Sequence, residues 1–296
     1  MLSKELLKEV GRIEIRTRQL VDSLYSGSYK SVFKGQGIEF AGIRQYYRGD
    51  DFRSIDWKVS ARSGNLHIRE HTEERELQII IALDLSGSMA FGSAAKEKRE
   101  SAVEFAAVMA LVAERNNDRA GICLFTDRVE KFVPPAKGKS HVLRLIRDLS
   151  FFIPEHKQTN LGAPLDFLNS TINHRSVIFL VSDGIDVGNI ERQLKVTAAK
   201  HDLIIVNVRD PREQNIPDVG MIEIENPETG EEVVFDTSNR KIVESILQEQ
   251  KKRDEQLEKT CKNMGIDLIH IVAGQSVAQP VVRLFAQRSS NSFQNK

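Results

Sequence analysis

The pattern of apolar and polar positions changes character near residue 77. Before it, Leu6, Val10, Ile13, Leu20 and Leu24 recur at near-helical spacing among charged residues, which predicts an amphipathic helix over about residues 3–24. Residues 26–42 are punctuated by Gly and Ser around Val32, Phe33, Ile38 and Phe40, the marks of short strands and turns. From residue 77 the runs become continuous. LQIIIAL (77–83) and SVIFLVS (176–182) are apolar on both faces, as buried parallel strands are, and LIIVNV (203–208) and IDLIHIV (266–272) follow the same pattern. Helical periodicity separates them, over 93–115, 141–148, 164–171, 189–200, 239–263 and 277–287. Residues 122–125 and 129–133 read as two strands with three residues between them, too few for a parallel crossover, so they must form an antiparallel hairpin.

Strands alternating with helices predict an α/β domain, Rossmann-like and doubly wound, with a mostly parallel sheet and one antiparallel edge strand, over residues 77–290. A small α+β region, residues 1–76, precedes it, and residues 291–296 (SSNSFQNK closes the chain) read as a disordered tail. The length of 296 residues agrees, being one large or two modest domains.

Composition narrows the function. The chain carries 42 Lys+Arg and 42 Asp+Glu, so it lacks the basic excess of a general nucleic-acid or anionic-membrane binder. Cys123 and Cys261 are too few for a disulfide framework or a zinc site and fit a reducing compartment. The N-terminus lacks a signal-peptide core, and no apolar run reaches the roughly 20 residues of a spanning helix. A cytoplasmic protein without a transmembrane segment is expected.

Ligands of open parallel sheets sit beyond the carboxyl ends of the strands. Asp84-Leu85-Ser86-Gly87-Ser88 follows the first buried strand, Thr159 lies between strands, and Asp183 follows SVIFLVS. Two carboxylates and three hydroxyls are hard oxygen donors and suit Mg²⁺, with Mn²⁺ or Ca²⁺ as alternatives. Each serine taken alone is an ordinary loop hydroxyl; the set, spread over 100 residues at the right topological places, points to a metal. The five positions resemble the metal-ion-dependent adhesion site of the von Willebrand factor A domain, with Asp84, Ser86 and Ser88 matching its DxSxS motif, Thr159 its threonine loop and Asp183 its last acidic position. Two carboxylates neutralise the cation and leave a coordination position for an anionic oxygen, so a partner's Asp or Glu is the expected ligand. The resemblance implies a non-enzymatic, metal-bridged protein contact. A metal-dependent hydrolase on the same residues is the alternative, although no general base or nucleophile presents itself.

Residues 35–62 interleave Arg44, Arg48, Arg53, Lys58 and Arg62 with Asp50, Asp51 and Asp56 around Tyr46, Tyr47 and Trp57. One reading is a salt-bridged turn anchored by a buried tryptophan. The other is a partner-binding surface of Arg44, Tyr46, Arg48, Asp50, Asp51, Arg53, Asp56 and Trp57, since Arg, Tyr and Trp are enriched in binding hot spots. The stretch closely resembles the signature of the DUF58 family, Arg-x-Tyr-x-x-Gly-Asp-Asp-x-Arg-x-Ile-Asp-Trp, placed directly before a von Willebrand A domain. That resemblance implies an adaptor or chaperone-like partner of a MoxR-type AAA+ ATPase in the assembly or activation of other proteins.

Gly138-Lys139-Ser140 imitates the end of a phosphate-binding loop, but the required first glycine is Val133 and Pro134 and Pro135 interrupt the span. His67 and His71 lack the glutamate of a metalloprotease helix and read as surface residues. Residues 210–236 hold nine acidic side chains and one basic, with a turn between MIEIE and EEVVF that predicts an exposed acidic hairpin. Residues 44–62 hold five basic and three acidic side chains. The zero net charge therefore conceals a polarised surface.

Overall fold

The computed structural model describes Val21 and residues 39–72, 76–90, 97–214, 216–225 and 230–294. The helix expected over 3–24 and most of the turns over 26–42 lie outside these residues, apart from Val21, which is helical and buried. The chain divides into two compact units, one of residues 33–77 and one containing 78–296.

The smaller unit pairs β1 (Glu39–Gln45) antiparallel with β2 (His67–Thr72) around α1 (Trp57–Ser63). Its turns are built by side chains that satisfy backbone donors. Asp51 accepts the Arg53 N–H at 2.9 Å, and Asp56 caps α1 by accepting the N–H groups of Lys58 and Val59 at 3.0 and 3.2 Å. Gly64, at φ 74°, ends α1 in the left-handed conformation and donates its N–H to Ser60 O.

The larger unit carries β3 (Gln78–Asp84), β4 (Arg119–Phe125), β5 (Val129–Ala136), β6 (Val177–Ser182), β7 (Asp202–Arg209) and β10 (Asp267–Val272) in one sheet. Its helices are α2 (Lys98–Arg115), α3 (Lys139–Phe151), α4 (Gly162–Thr171), α5 (Val187–Lys200), α6 (Arg240–Met264) and α7 (Ala278–Gln294). The sheet order is β10-β7-β6-β3-β4-β5, and every pairing is parallel except β4–β5. The fold is the expected one, a mostly parallel sheet with a single antiparallel edge strand. That edge explains Pro134 and Pro135: a strand with one partner tolerates missing donors. The register of β4 and β5 shifts at Gly121, where any Cβ would lie 2.8 Å from Val133 O and from the Pro135 nitrogen, so only glycine fits.

Both faces of the sheet are covered. One receives α4, α5 and α6 over Ile80, Ala82, Ile178, Leu180 and Ile205. The other receives α2, where Phe105 packs edge-on against Phe179 with ring centroids 5.5 Å apart. Helix α2 is buried almost all round and is rich in Ala, which lets it approach the sheet closely. Helix α7 runs to Gln294, so residues 291–294 of the expected tail are helical. A separate hairpin pairs β8 (Met221–Glu225) with β9 (Glu232–Asp236), the expected acidic one; its turn lies outside the described residues.

Candidate functional site

The chain leaves β3 for β4 on one side and later enters β6 on the other, so the adjacent carboxyl ends of β3 and β6 form the topological switch point. Asp84 is the last residue of β3, and Asp183 directly follows β6. The tight turn after β3 is shaped by Asp84 itself, whose Oδ1 accepts the Ser86 N–H at 2.8 Å. The Ser86 and Ser88 hydroxyls lie 3.0 Å apart, and Ser88 Oγ donates to Asp183 Oδ1 at 2.9 Å. Four of the five expected oxygen donors therefore form one hydrogen-bonded cluster.

Thr159 is half-buried in the loop between α3 and α4. That loop is tied to the strand ends at two points: Lys157 O accepts the Gly87 N–H at 2.7 Å, and the Asn160 N–H donates to Thr126 O at 3.0 Å. The threonine thus sits on a segment fixed against the DxSxS turn by backbone bonds.

Two participants carry no sequence signal. Ser182 Oγ donates to Asp84 Oδ2 at 2.7 Å, and Lys98, the first residue of α2, reaches Asp183 Oδ2 at 2.5 Å and Glu213 Oε1 at 2.7 Å. They are 98 and 85 residues from the carboxylates they touch, and only the topology joins them. Lys98 is buried, which works against its charge, but Asp183 and Glu213 outweigh burial and hold its pKa above the ordinary value.

Asp84 has no such cation. It is fully buried, its oxygens meet only hydroxyl and amide donors among the described residues, and burial pushes its pKa up to about 7 against the hydrogen bonds of Ser182 and Ser86. A buried carboxylate facing two hydroxyls, with a second carboxylate across them, is a donor set that fits a hard divalent cation. No group of three or more His, Cys, Asp and Glu side chains that could hold a metal occurs among the described residues, so any such ion would depend on the serine and threonine oxygens.

In the smaller unit, the aspartates of the expected partner surface serve the backbone. Asp56 is buried as the cap of α1, and Asp51 caps the short turn at Phe52–Ser54. Asp50 takes a two-pronged bond from Arg44 at 2.7 and 2.9 Å, which holds its carboxyl down at about 2, and also accepts the Tyr47 N–H. Tyr46 is half-buried. Trp57, the first residue of α1, is 67% exposed among the described residues, contrary to the buried-anchor reading. Arg48, Arg53, Tyr47 and Phe52 are exposed as well; Phe52 was not among the expected contact residues.

The fold and this cluster define an open-sheet α/β protein with a hydroxyl-and-carboxylate site at its switch point. The chain belongs to the family described as "Protein of unknown function DUF58", which matches residues 42–256. An uncharacterized protein of Mycobacterium tuberculosis, Rv1480, is 30% identical over 220 residues, 74% of this chain and 69% of that one. Among solved structures, the conserved hypothetical protein BatB from Bacteroides thetaiotaomicron is similar with a TM-score of 0.46 and 15% identity, over 72% of this chain and 99% of that one. A von Willebrand factor type A protein from Catenulispora acidiphila is similar with a TM-score of 0.39 and 10% identity, over 74% of this chain and 43% of that one. No helix among the described residues is long and apolar enough to cross a membrane.

Proposed function

We propose that the chain is a non-enzymatic protein-interaction module that holds a divalent cation, Mg²⁺ first among candidates, with Asp84, Ser86, Ser88, Thr159 and Asp183. The observation that carries this reading is the buried Asp84 carboxylate, which has no cationic neighbour among the described residues and lies next to the Ser86–Ser88 hydroxyl pair, of which Ser88 donates to Asp183. When bound, the cation would supply a Lewis-acidic position for a carboxylate of a protein partner. The residues do the rest. Ser182 and the Ser86 amide fix the Asp84 rotamer, Lys98 commits one oxygen of Asp183 and leaves the other toward Ser88, and the Lys157–Gly87 bond holds the threonine loop in place. The exposed Arg48, Arg53, Tyr47, Phe52 and Trp57 of the smaller unit offer a second contact surface of the hot-spot composition. The partner proposed from the family resemblance is a MoxR-type AAA+ ATPase, with the chain as its adaptor.

Calorimetric titration of the purified chain with Mg²⁺ tests the site, and co-purification with the MoxR-type ATPase encoded by the same organism, in Mg²⁺ and in EDTA, tests the partner. Saturable binding lost in Asp84→Ala and Ser88→Ala, with EDTA-sensitive co-purification, is the expected result. Equal capture in EDTA by wild type and Asp84→Ala would sink the metal-dependent reading.

A further inference from the structure

Three exposed aromatics punctuate the smaller unit at five-residue intervals, each followed directly by a cation: Tyr47-Arg48, Phe52-Arg53 and Trp57-Lys58. The three aromatic residues are 65–70% exposed. Arg48, Arg53 and Lys58 are exposed as well, and no carboxylate pairs with their side chains among the described residues. Tyr47 is already held for contact, with its N–H bonded to Asp50 and its ring centroid 5.8 Å from the Arg44 guanidinium. Large apolar side chains left to water in one short stretch mark an interaction surface, and aromatics with arginine dominate the energetics of such surfaces.

The larger unit carries the opposite composition. Residues opposite each other in the β8–β9 hairpin share a face, which puts Met221, Glu223, Glu232, Val234 and Asp236 together. Met221 and Val234 are 72% and 61% exposed. Glu223 and Glu232 are exposed too, and neither meets a cation among the described residues. The hairpin is closed at its base by its own bonds. Thr237 Oγ1 accepts the Val219 N–H at 2.9 Å and donates to Gly220 O at 2.8 Å, and Ser238 Oγ donates to Asp218 at 2.9 Å. Its shape is thus fixed while this face stays exposed, and a two-stranded hairpin is marginal in water until something packs on it.

We infer that the two surfaces cover each other between copies of this chain, the hairpin face of one molecule seating on the Tyr47–Lys58 stretch of another. Met221 and Val234 meet the rings, and Glu223 and Glu232 meet Arg48, Arg53 and Lys58. A second copy is the occupant that the chain itself specifies, because each surface carries what the other lacks: unpaired cations beside rings on one, unpaired carboxylates beside aliphatic side chains on the other. Each copy presents both surfaces, so two copies can pair reciprocally and more can close a ring. The contact uses none of Asp84, Ser86, Ser88, Thr159 and Asp183, and it stands or falls apart from the metal reading. A copy seated there covers the surface offered to the ATPase, which makes self-association and ATPase capture mutually exclusive.

The test is sedimentation velocity of the purified full chain over a concentration series, in EDTA and without ATPase. It is run at about 0.1 M and about 1 M salt, between which the screening length falls from about 10 to about 3 Å. Reversible association that weakens at the higher salt is expected. Trp57 is the only tryptophan of the chain, so its emission should move to the blue as copies associate. Arg48→Glu with Arg53→Glu, and separately Glu223→Lys with Glu232→Lys, change exposed positions and should leave the fold intact. Each pair should weaken association by about tenfold or more, since like charges then face each other. Mixed in equal amounts, the two variants should associate again, because the native hairpin of one meets the native stretch of the other and the two reversed surfaces match as well. Contact between like surfaces cannot give that recovery. A wild type that stays monomeric throughout the series, variants that associate as the wild type does, or a mixture that does not recover would overturn the proposal. Capture of a single-stranded oligonucleotide or of an anionic phosphatidylglycerol vesicle by a chain that stays monomeric would overturn it in favour of that partner.

Discussion

Asp84→Asn isolates the energetics of the buried carboxylate at the switch point. Burial moves this carboxyl from 3.8 to about 7, so in the absence of a cation the folded state binds a proton that the unfolded state has released. Between pH 3.8 and 7 the folded state therefore carries the extra proton, and stability falls as pH rises through that window. Each unit corresponds to 1.36 kcal/mol, so raising the pH from 5 to 8 crosses two of those units and costs the wild type about 3 kcal/mol through Asp84 alone. Asparagine has nearly the same shape, keeps an oxygen for Ser182 or the Ser86 amide and does not ionise. The measurement is the difference in urea stability between wild type and Asp84→Asn, in EDTA, at pH 5 and pH 8. Taking the difference cancels the titrating groups that are not coupled to Asp84. The variant should gain about 3 kcal/mol on the wild type between the two pH values. Saturating Mg²⁺ at pH 8 should then close the gap, since a ligand at a hundredfold its Kd stabilises by about 2.7 kcal/mol. A difference independent of pH would refute the argument, because it would mean that Asp84 ionises in the folded chain without penalty.

Further outcomes follow from other parts of the fold. His201 is buried, and burial together with Lys200 and Arg175 depresses its pKa to about 4; its stabilisation is present above pH 6.5 and is lost as pH falls toward 4, so His201→Gln should flatten the acid limb of stability by up to about 3 kcal/mol. Phe105→Ala, which empties the α2–β6 contact, should cost about 3–5 kcal/mol in denaturant unfolding. Lys98→Met leaves Asp183 and Glu213 close together without their cation and should destabilise by about 3–5 kcal/mol at neutral pH, read from thermal unfolding. Trp57→Ala should change stability by less than about 0.5 kcal/mol yet weaken capture of the ATPase partner, the contrast that separates a contact residue from a structural one.

Much of the larger unit was legible because its strands are buried on both faces. Such strands lose the alternation that makes half-exposed strands ambiguous, and Ile79–Leu83 and Ile178–Val181 have no exposed position to blur the pattern. The β4–β5 hairpin followed from chain length alone, three residues being unable to cross a sheet. Element ends were less legible. Helix α3 begins at Lys139, two residues before its first periodic residue, and α7 extends to Gln294 through Ser and Asn residues of weak helix propensity. The buried-anchor reading of Trp57 fails for a definite reason, while its place among exposed contact residues stands. Composition says that the lone tryptophan of a chain tends to be buried, but the side chain that holds its turn is Asp56, the cap that sets the direction in which α1 begins.

The site divides along the same line. Residues that shape their own loop are visible in sequence: Asp84 accepts the amide two residues on, and the DxSxS spacing is the consequence of that turn. Residues that reach the site across the fold leave no local trace. Lys98 and Ser182 look like an ordinary helix start and an ordinary strand end until β3 and β6 are set side by side. Their effect on the two carboxylates is nonetheless opposite. Lys98 gives Asp183 a permanent counter-charge, whereas Ser182 gives Asp84 a hydrogen bond but no charge, so the two acidic positions that look equivalent in sequence differ in what they still require. On the proposed metal reading Asp84 gains most from an external cation, so loss of that carboxylate should abolish Mg²⁺ binding, while Asp183→Asn, whose partner charge is already inside the protein, should weaken it less.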